Sequence, residues 1–201
     1  MNITTLEMLR QEYAEPKERA VRKEIRALDV HCRRFIGLSP FLILATSDPH
    51  HNMDASPRGG APGFVKVTAD GVILIPDAPG NNRLDSFANI IATRKVGLLF
   101  LIPGIDETLR VNGSAVLSRA DADIALCTDE RRAPKLAIRV TVEAAYLHCA
   151  KAFMRSKLWD AAAQVDRGAL PTIGQMISDQ TGIQIPAETR EEMARRYAPD
   201  L

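Results

Sequence analysis

Three short polar clusters, each carrying one arginine, interrupt the apolar centre of the chain. They occupy residues 56–60, 76–83 and 107–113. Arginine can donate two parallel hydrogen bonds to a phosphate or a carboxylate, and glycine lets a ligand approach the backbone closely. Together the clusters predict a cradle for a phosphorylated ligand.

The second cluster places Asn81, Asn82 and Arg83 between a predicted strand and a predicted helix. Either asparagine can cap that helix, which would put Arg83 in its first turn. The helix macrodipole disfavours a cation there, and a bound anion would reverse the sign. Free amides beside one arginine therefore suit a phosphate. The alternative is a plain cap with a solvated Arg83.

The first cluster, Ser56, Pro57 and Arg58 followed by two glycines, comes at the end of a predicted strand. Pro57 has no amide hydrogen and so does not belong in a central strand. Arg58 can hold a phosphate or face the edge of an anionic ring. The alternative is a turn with a solvated arginine.

The third cluster belongs to a strand whose side chains alternate between apolar and polar. Arg110 and Asn112 fall on its polar face. That face can line a cleft or a subunit interface, or it can simply be exposed to solvent.

A fourth polar group lies near the C-terminus, where Lys151, Arg155 and Trp159 follow one another at intervals of four residues. On a helix they share one face, and two cations with an indole suit an aromatic, anionic ligand. The alternative is a solvated basic face with Trp159 packed into the body.

Short apolar runs define the elements that must position these groups. Thr5 is expected to cap a first short helix, Pro16 to open a second, and Gly37 to end a third. The predicted helices after the first span residues 17–28, 30–36, 83–93, 150–160, 173–180 and 187–196. The predicted strands span residues 41–46, 53–56, 64–68, 72–75, 96–102, 108–117 and 136–146. Asp70 and Gly71 predict a hairpin turn between two of them.

This pattern favours a single domain, 1–201, with the strands forming a barrel. Residues 1–40 supply N-terminal helices, residues 41–149 the barrel, and residues 150–201 a helical tail.

Composition restricts the class of protein. The chain has 201 residues, 46% of them hydrophobic, which suits one globular domain. A net charge of +1 and 5% aromatic residues argue against nucleic acid and an anionic membrane as partners. Three widely spaced cysteines argue against a disulfide framework and a structural zinc site, so no metal is expected. With no signal peptide or spanning segment recognisable, a cytoplasmic protein is expected.

Four motifs in order carry a resemblance to a known family. They are Ala-Ser-Pro-Arg-Gly-Gly, Pro-Gly-Asn-Asn-Arg-x-Asp-Ser, Glu-Thr-Leu-Arg-Val-Asn-Gly and His-Cys-x-Lys-Ala-x-x-Arg-Ser-x-Leu-Trp. From residue 41 to about residue 159 the chain resembles a bacterial subgroup of the pyridoxamine 5′-phosphate oxidase-like flavoproteins. The resemblance implies the FMN-binding split barrel, an α+β fold in which six or seven antiparallel strands form a barrel with flanking helices.

The resemblance also implies a homodimer with FMN at the subunit interface. Ser56, Pro57 and Arg58 would run beside the flavin and its phosphate, and Pro76 and Asp77 would meet the ring. The phosphate would bind at Asn81, Asn82, Arg83 and Ser86. The candidates for the second subunit's contribution are Arg110 and Asn112, or the face formed by Lys151, Arg155 and Trp159.

The implied function is that of an FMN-dependent oxidoreductase acting on a small molecule, with a reduced nicotinamide or the substrate as hydride donor. The true oxidase has a serine and two consecutive basic residues where this chain has Asn81, Asn82 and Arg83, so oxidation of pyridoxamine phosphate is not expected. No catalytic acid or base is singled out, and Lys151, His148 and Arg155 are the first to test. The alternative is a non-enzymatic flavin or haem carrier or sensor on the same fold.

Overall fold

The architecture is known from a computed structural model, which describes residues 2–130 and 132–200. The helices are α1 (Leu6–Glu12), α2 (Glu18–Arg22), α3 (Val30–Leu38), α4 (Asp85–Thr93), α5 (Asp121–Cys127), α6 (Lys151–Ser156), α7 (Ile173–Thr181) and α8 (Arg190–Tyr197). The strands are β1 (Phe41–Ser47), β2 (Met53–Gly59), β3 (Lys66–Val67), β4 (Ile73–Pro76), β5 (Lys95–Leu101), β6 (Thr108–Ser118) and β7 (Ala137–His148). None of the helices described is both long and apolar enough to cross a membrane.

The seven strands form one curled antiparallel sheet in the order β2-β1-β5-β6-β7-β4-β3. The expected hairpin is present, since β3 pairs with β4 across a turn in which Gly71 has a φ of 87°, and β1 pairs with β2 in a second hairpin. Glycine adopts that conformation without steric cost. The predicted antiparallel β fold with flanking helices is confirmed.

One face of the sheet is buried and is called the inner face here; the opposite face is the outer face. Alternate residues of the central strands, such as Leu44, Leu98 and Val111, point inward and are fully or almost fully buried. Ile36 of α3 and Ile90 of α4 join the same core. Period-two alternation therefore decides which polar side chains remain on the outer face.

A β-bulge keeps both halves of β7 in register with the core. Asn112 pairs with Ala144, and the next residue, Gly113, pairs with Val142, so Glu143 is the extra residue. A one-residue slip sends side chains to the opposite face of a sheet. The extra residue therefore lets Ala145 on one side of the bulge and Val142 on the other both pack against the core.

Two N-terminal predictions differ from the structure. The second helix, predicted for residues 17–28, ends at Arg22, because Ile25 leaves the helix to exchange two backbone hydrogen bonds with Ala145 of β7, at 3.0 and 2.8 Å. Gly37 lies inside α3 and does not end it. The Thr5 cap is confirmed, since its side chain accepts a hydrogen bond from the amide of Met8.

Helix α5 was absent from the sequence prediction. Its Asp123 is buried, accepts a hydrogen bond from Ser118 at 2.6 Å and pairs with Arg139 at 2.9 Å. These tertiary contacts hold a seven-residue segment whose apolar pattern is too short to be recognised as a helix.

Candidate functional site

Five polar side chains meet where β2, an edge strand, and the end of β1 approach the first turn of α4. We call them the β2–α4 cluster: Thr46, Asp54, Ser56, Arg58 and Ser86. The alternation of β2 directs Asp54, Ser56 and Arg58 to the same face. The carboxylate of Asp54 accepts hydrogen bonds from the hydroxyls of Ser86 at 2.5 Å, Ser56 at 2.9 Å and Thr46 at 3.2 Å.

Arg58 is the member of the cluster with unused hydrogen-bonding capacity. Its Nη2 donates to Ser86 Oγ at 3.2 Å, and its guanidinium lies 5.7 Å from the ring centre of Phe87. Its Nε is buried and has no partner among the residues described. Buried donors are nearly always paired, so this nitrogen is available to an acceptor supplied from outside the described residues.

The start of α4 differs from the sequence prediction. Leu84 occupies the cap position in a left-handed conformation with no side-chain cap, and Arg83 lies outside the helix. Asn81 caps nothing; its side chain accepts from the amide of Arg83, while Asn82 has a φ of 60°. The prediction that an asparagine caps this helix and that Arg83 occupies its first turn is wrong.

Asp85 explains why the helix tolerates this start. It stands in the first turn, where the macrodipole favours an anion, and its carboxylate accepts from Arg83 Nε at 2.8 Å. This hydrogen bond raises the pKa of Arg83, whose side chain is 73% exposed. The free amides of the uncapped first turn, with Arg83 beside them, remain donors suited to a phosphate, whereas the buried Ser86 donates its proton to Asp54.

A second set of predicted residues lies on the outer face of the sheet. Arg110 and Asn112 of β6 border a hollow of about 220 Å³, whose floor is apolar and includes Ile43, Gly97 and Leu99. Pro57 pairs with Ile43 and is exposed on the edge strand, where a missing amide hydrogen is tolerated.

The two groups of candidates therefore occupy opposite faces of the sheet. Arg58 belongs to the inner face of β2, and Arg110 to the outer face of β6. One chain does not bring these two arginines to the same side.

Pro76 and Asp77 stand apart from both groups. Pro76 ends β4 and pairs with Ala137, and the carbonyl of Asp77 accepts from Arg132 Nη2 at 3.3 Å. Within the described ranges, no hydrogen bond links Pro76 or Asp77 to the β2–α4 cluster.

The predicted face of Lys151, Arg155 and Trp159 is not a single helical face. Helix α6 ends at Ser156, and Lys157 adopts a left-handed conformation that turns the chain back. Trp159 consequently stacks on Phe153 at 5.6 Å and donates from Nε1 to the carbonyl of Ile105 at 3.0 Å. Lys151 and Arg155 remain exposed on α6.

Comparison with protein families decides the relationship of the chain. Residues 28–149, more than half of the sequence, match the family described as pyridoxamine 5′-phosphate oxidase. The chain belongs to the pyridoxamine 5′-phosphate oxidase family. The resemblance inferred from the motifs is confirmed, and the curled seven-stranded sheet is the family's split-barrel fold.

Several solved structures are similar to this member of the family. HupZ of Group A Streptococcus is 15% identical over 59% of this chain and 91% of its own, with a TM-score of 0.48. An FMN-binding protein of Syntrophomonas wolfei is 17% identical, and the match covers 72% of this chain and 97% of that protein, with a TM-score of 0.45. HutZ of Vibrio cholerae, a haem storage protein, is 12% identical, and the match covers 61% of this chain and 94% of that protein, with a TM-score of 0.41. Among curated proteins, none matches the sequence.

Sequence reasoning missed Asp54 and Thr46 of the β2–α4 cluster. A signal for Asp54 was present, because Asp54, Ser56 and Arg58 are spaced two residues apart on one strand and therefore share one face of it. Thr46 lies next to the last residue of an otherwise apolar strand, and only the pairing of Thr46 with Asp54 across the hairpin reveals its place.

The three cysteines should differ sharply in reactivity. Burial raises the pKa of the Cys32 and Cys127 thiols to about 11. Cys149 is exposed, and an amide hydrogen bond from Lys151, with the charges of Lys151 and Lys23, lowers its pKa. Thiolate is the reactive form, so we expect one fast-reacting thiol in the folded protein, measured with a chromogenic disulfide at pH 7.5. Cys149→Ser should remove the fast phase, whereas its persistence would contradict this assignment.

Proposed function

We propose that this protein binds FMN and acts as an FMN-dependent oxidoreductase on a small molecule. The observation that carries the proposal is the buried Nε of Arg58, which lies next to the hydroxyl of Ser86 and has no partner among the described residues. Membership of the family supports a flavin as the ligand. When bound, FMN supplies the hydride and electron transfer, while the protein binds, orients and shields it.

The β2–α4 cluster, with the α4 start, is the proposed phosphate site. Arg58 would donate from Nε, and Arg83 would donate from the loop before α4. Because the protons of Ser56 and Ser86 point to Asp54, these hydroxyls hold Asp54 and, through Ser86, the guanidinium of Arg58. Their role in the site is therefore to position Arg58.

The outer-face hollow is the proposed site of the flavin ring, contributed by a second subunit. An apolar floor bordered by Arg110 and Asn112 suits a flat ring with polar edges. Since Arg58 and Arg110 lie on opposite faces of the sheet, a homodimer would allow both to contact one FMN. Pro76 and Asp77 at the ring, and Lys151, Arg155 and Trp159 from the second subunit, remain predictions.

The test has two stages. Titration of the flavin-free protein with FMN should quench flavin fluorescence, and sedimentation should show a dimer. Consumption of NADH or NADPH by the loaded protein, with oxygen or an added acceptor, then measures turnover. Bound FMN without turnover would favour a flavin carrier or sensor, and no FMN binding would overturn the proposal.

Arg83 should make a smaller, salt-dependent contribution to FMN binding. Replacing Arg83 with alanine should raise the Kd several-fold at low salt, because the side chain is exposed and already paired with Asp85. Screening should reduce the difference at 1 M salt, where the Debye length is about 3 Å. Lys95→Ala, which removes another exposed and ion-paired cation, is the matched control. An unchanged Kd at low salt would show that the phosphate binds elsewhere.

A further inference from the structure

Four side chains at the outer-face end of β6 and β7 are not used by the phosphate site. We call them the Tyr146 group: Lys23, Arg110, Tyr146 and His148. Arg110, Tyr146 and His148 point to the same face because Arg110 pairs with Tyr146 in the sheet and His148 is two residues further along β7. Lys23 reaches the group from the end of α2, where its Nζ is bonded to the carbonyl of Leu147 at 2.8 Å.

Two cations lie close to the tyrosine ring. Lys23 Nζ lies 5.3 Å from the ring centre. Arg110 Nη1 donates to the hydroxyl of Tyr146 at 3.0 Å, so its guanidinium stands at the hydroxyl end of the ring. The ring of His148 lies 5.0 Å from that of Tyr146.

Neither cation of the Tyr146 group takes part in the ion pairs found among the described residues. Those pairs involve Arg10, Arg22, Arg83, Lys95, Arg139 and Arg196. The hydroxyl of Tyr146 accepts from Arg110, and within the described ranges its own proton has no acceptor. His148 Nε2 is also buried without a partner there. Two like charges, a hydroxyl proton and a buried nitrogen are thus grouped around one ring, and none of them is bonded to an acidic side chain among the described residues.

We propose that the Tyr146 group is an anion-binding site that takes a carboxylate or phosphate group of the substrate. The geometry supplies donors from Arg110, Lys23 and Tyr146 around one ring, and Arg110 also borders the outer-face hollow. The anion would thus bind beside the proposed ring site and distinct from Arg58. The assignment of the anion to a substrate rests on the proposed function, whereas the anion site itself does not.

The titration of His148 is consistent with this positive potential. Burial, then the charges of Arg110 and Lys23, lower the pKa of His148. An anion bound beside the two cations would offset their charge and raise that pKa. His148 is therefore a built-in reporter, which does not depend on turnover.

The experiment follows the four histidine signals of the protein by NMR, with His148→Gln identifying the one of interest. The pH titration is run in chloride, in inorganic phosphate and in benzoate, each with and without FMN. Phosphate or benzoate should raise the pKa of His148 by about one, the lower end of the shift that a nearby opposite charge produces. The two anions distinguish a phosphate from a carboxylate as the preferred group.

Variants locate the effect. Arg110→Gln and Tyr146→Phe should each weaken the anion-dependent shift at least several-fold, while Lys95→Gln should leave it unchanged. A pKa that is the same in all three solutions overturns the proposal, as does an equal response in Arg110→Gln. The proposal also fails if Arg110→Gln dissociates the dimer while no anion affects His148, because the group would then be a protein contact.

The two proposals can fail separately. Flavin fluorescence reports FMN binding, and the His148 signal reports the anion. If anions shift the pKa of His148 but FMN does not bind, only the proposed function is contradicted. If FMN binds but no anion shifts that pKa, only the anion site is contradicted.

Discussion

Replacing Gly113 with alanine is expected to destabilise the fold by about 3 kcal/mol. A β-carbon at this position would overlap the carbonyl oxygen of Thr141, with the Thr141 carbonyl carbon at 3.1 Å and Val140 Cγ1 at 3.3 Å. Backbone in a paired strand cannot move aside as a flexible side chain can. For a chain of this size the loss corresponds to a fall of roughly 6–12 °C in melting temperature. Thermal and denaturant unfolding would measure it.

A second glycine on the neighbouring strand provides the matched control. A β-carbon on Gly97 would lie 3.5 Å from Asn112 Oδ1 and 3.7 Å from Ala45 Cβ, which are ordinary contacts. Gly97→Ala should therefore change the free energy of unfolding by less than about 1 kcal/mol. Equal losses in the two variants would mean that the bulge at Gly113 relaxes and that close packing does not require glycine there.

The strands were predictable because their signal is local. Apolar runs and alternation located all seven, and Asp70-Gly71 identified a hairpin turn. The bulge opposite Gly113 was not predictable, since it depends on which residues of β7 meet β6. The end of α2 was missed for a similar reason. Ile25 pairs with Ala145 of β7 and does not continue the helix, and only the tertiary fold brings these two residues together.

At the candidate site, sequence identified the residue types better than their arrangement. Arg58 and Ser86 were both predicted, and they do meet. The predicted cap of α4 was wrong because the Asn81 side chain accepts a hydrogen bond from the amide of Arg83 and does not cap the helix. Such local hydrogen bonds to the backbone are typical of asparagine and compete with helix initiation. Nor could one sequence show that Arg58 and Arg110 lie on opposite faces, because that follows from the register of three strand pairs.

Removing the Arg58 side chain is expected to cause the largest loss of FMN affinity among single changes at the phosphate site. Its Nε is a buried donor without a described partner, and its charge stands beside the uncapped start of α4. A hydrogen bond to a charged group contributes about 1.5–3 kcal/mol, so Arg58→Ala should raise the Kd for FMN roughly 10- to 100-fold. Fluorescence or calorimetric titration of the flavin-free protein would measure the change.

Riboflavin, which has the ring but no phosphate, makes this prediction specific. If Arg58 binds the phosphate, Arg58→Ala should weaken FMN and leave riboflavin binding unchanged, and the difference between the two ligands isolates the interaction. Arg58→Lys keeps the charge but lacks the Nε donor, so it should restore only part of the affinity. The unliganded variants should unfold at nearly the wild-type temperature, because Arg58 contributes one hydrogen bond to Ser86 and a ring contact to Phe87. Equal losses of affinity for FMN and riboflavin would instead mean that Arg58 contacts the flavin ring or stabilises the strand that carries it.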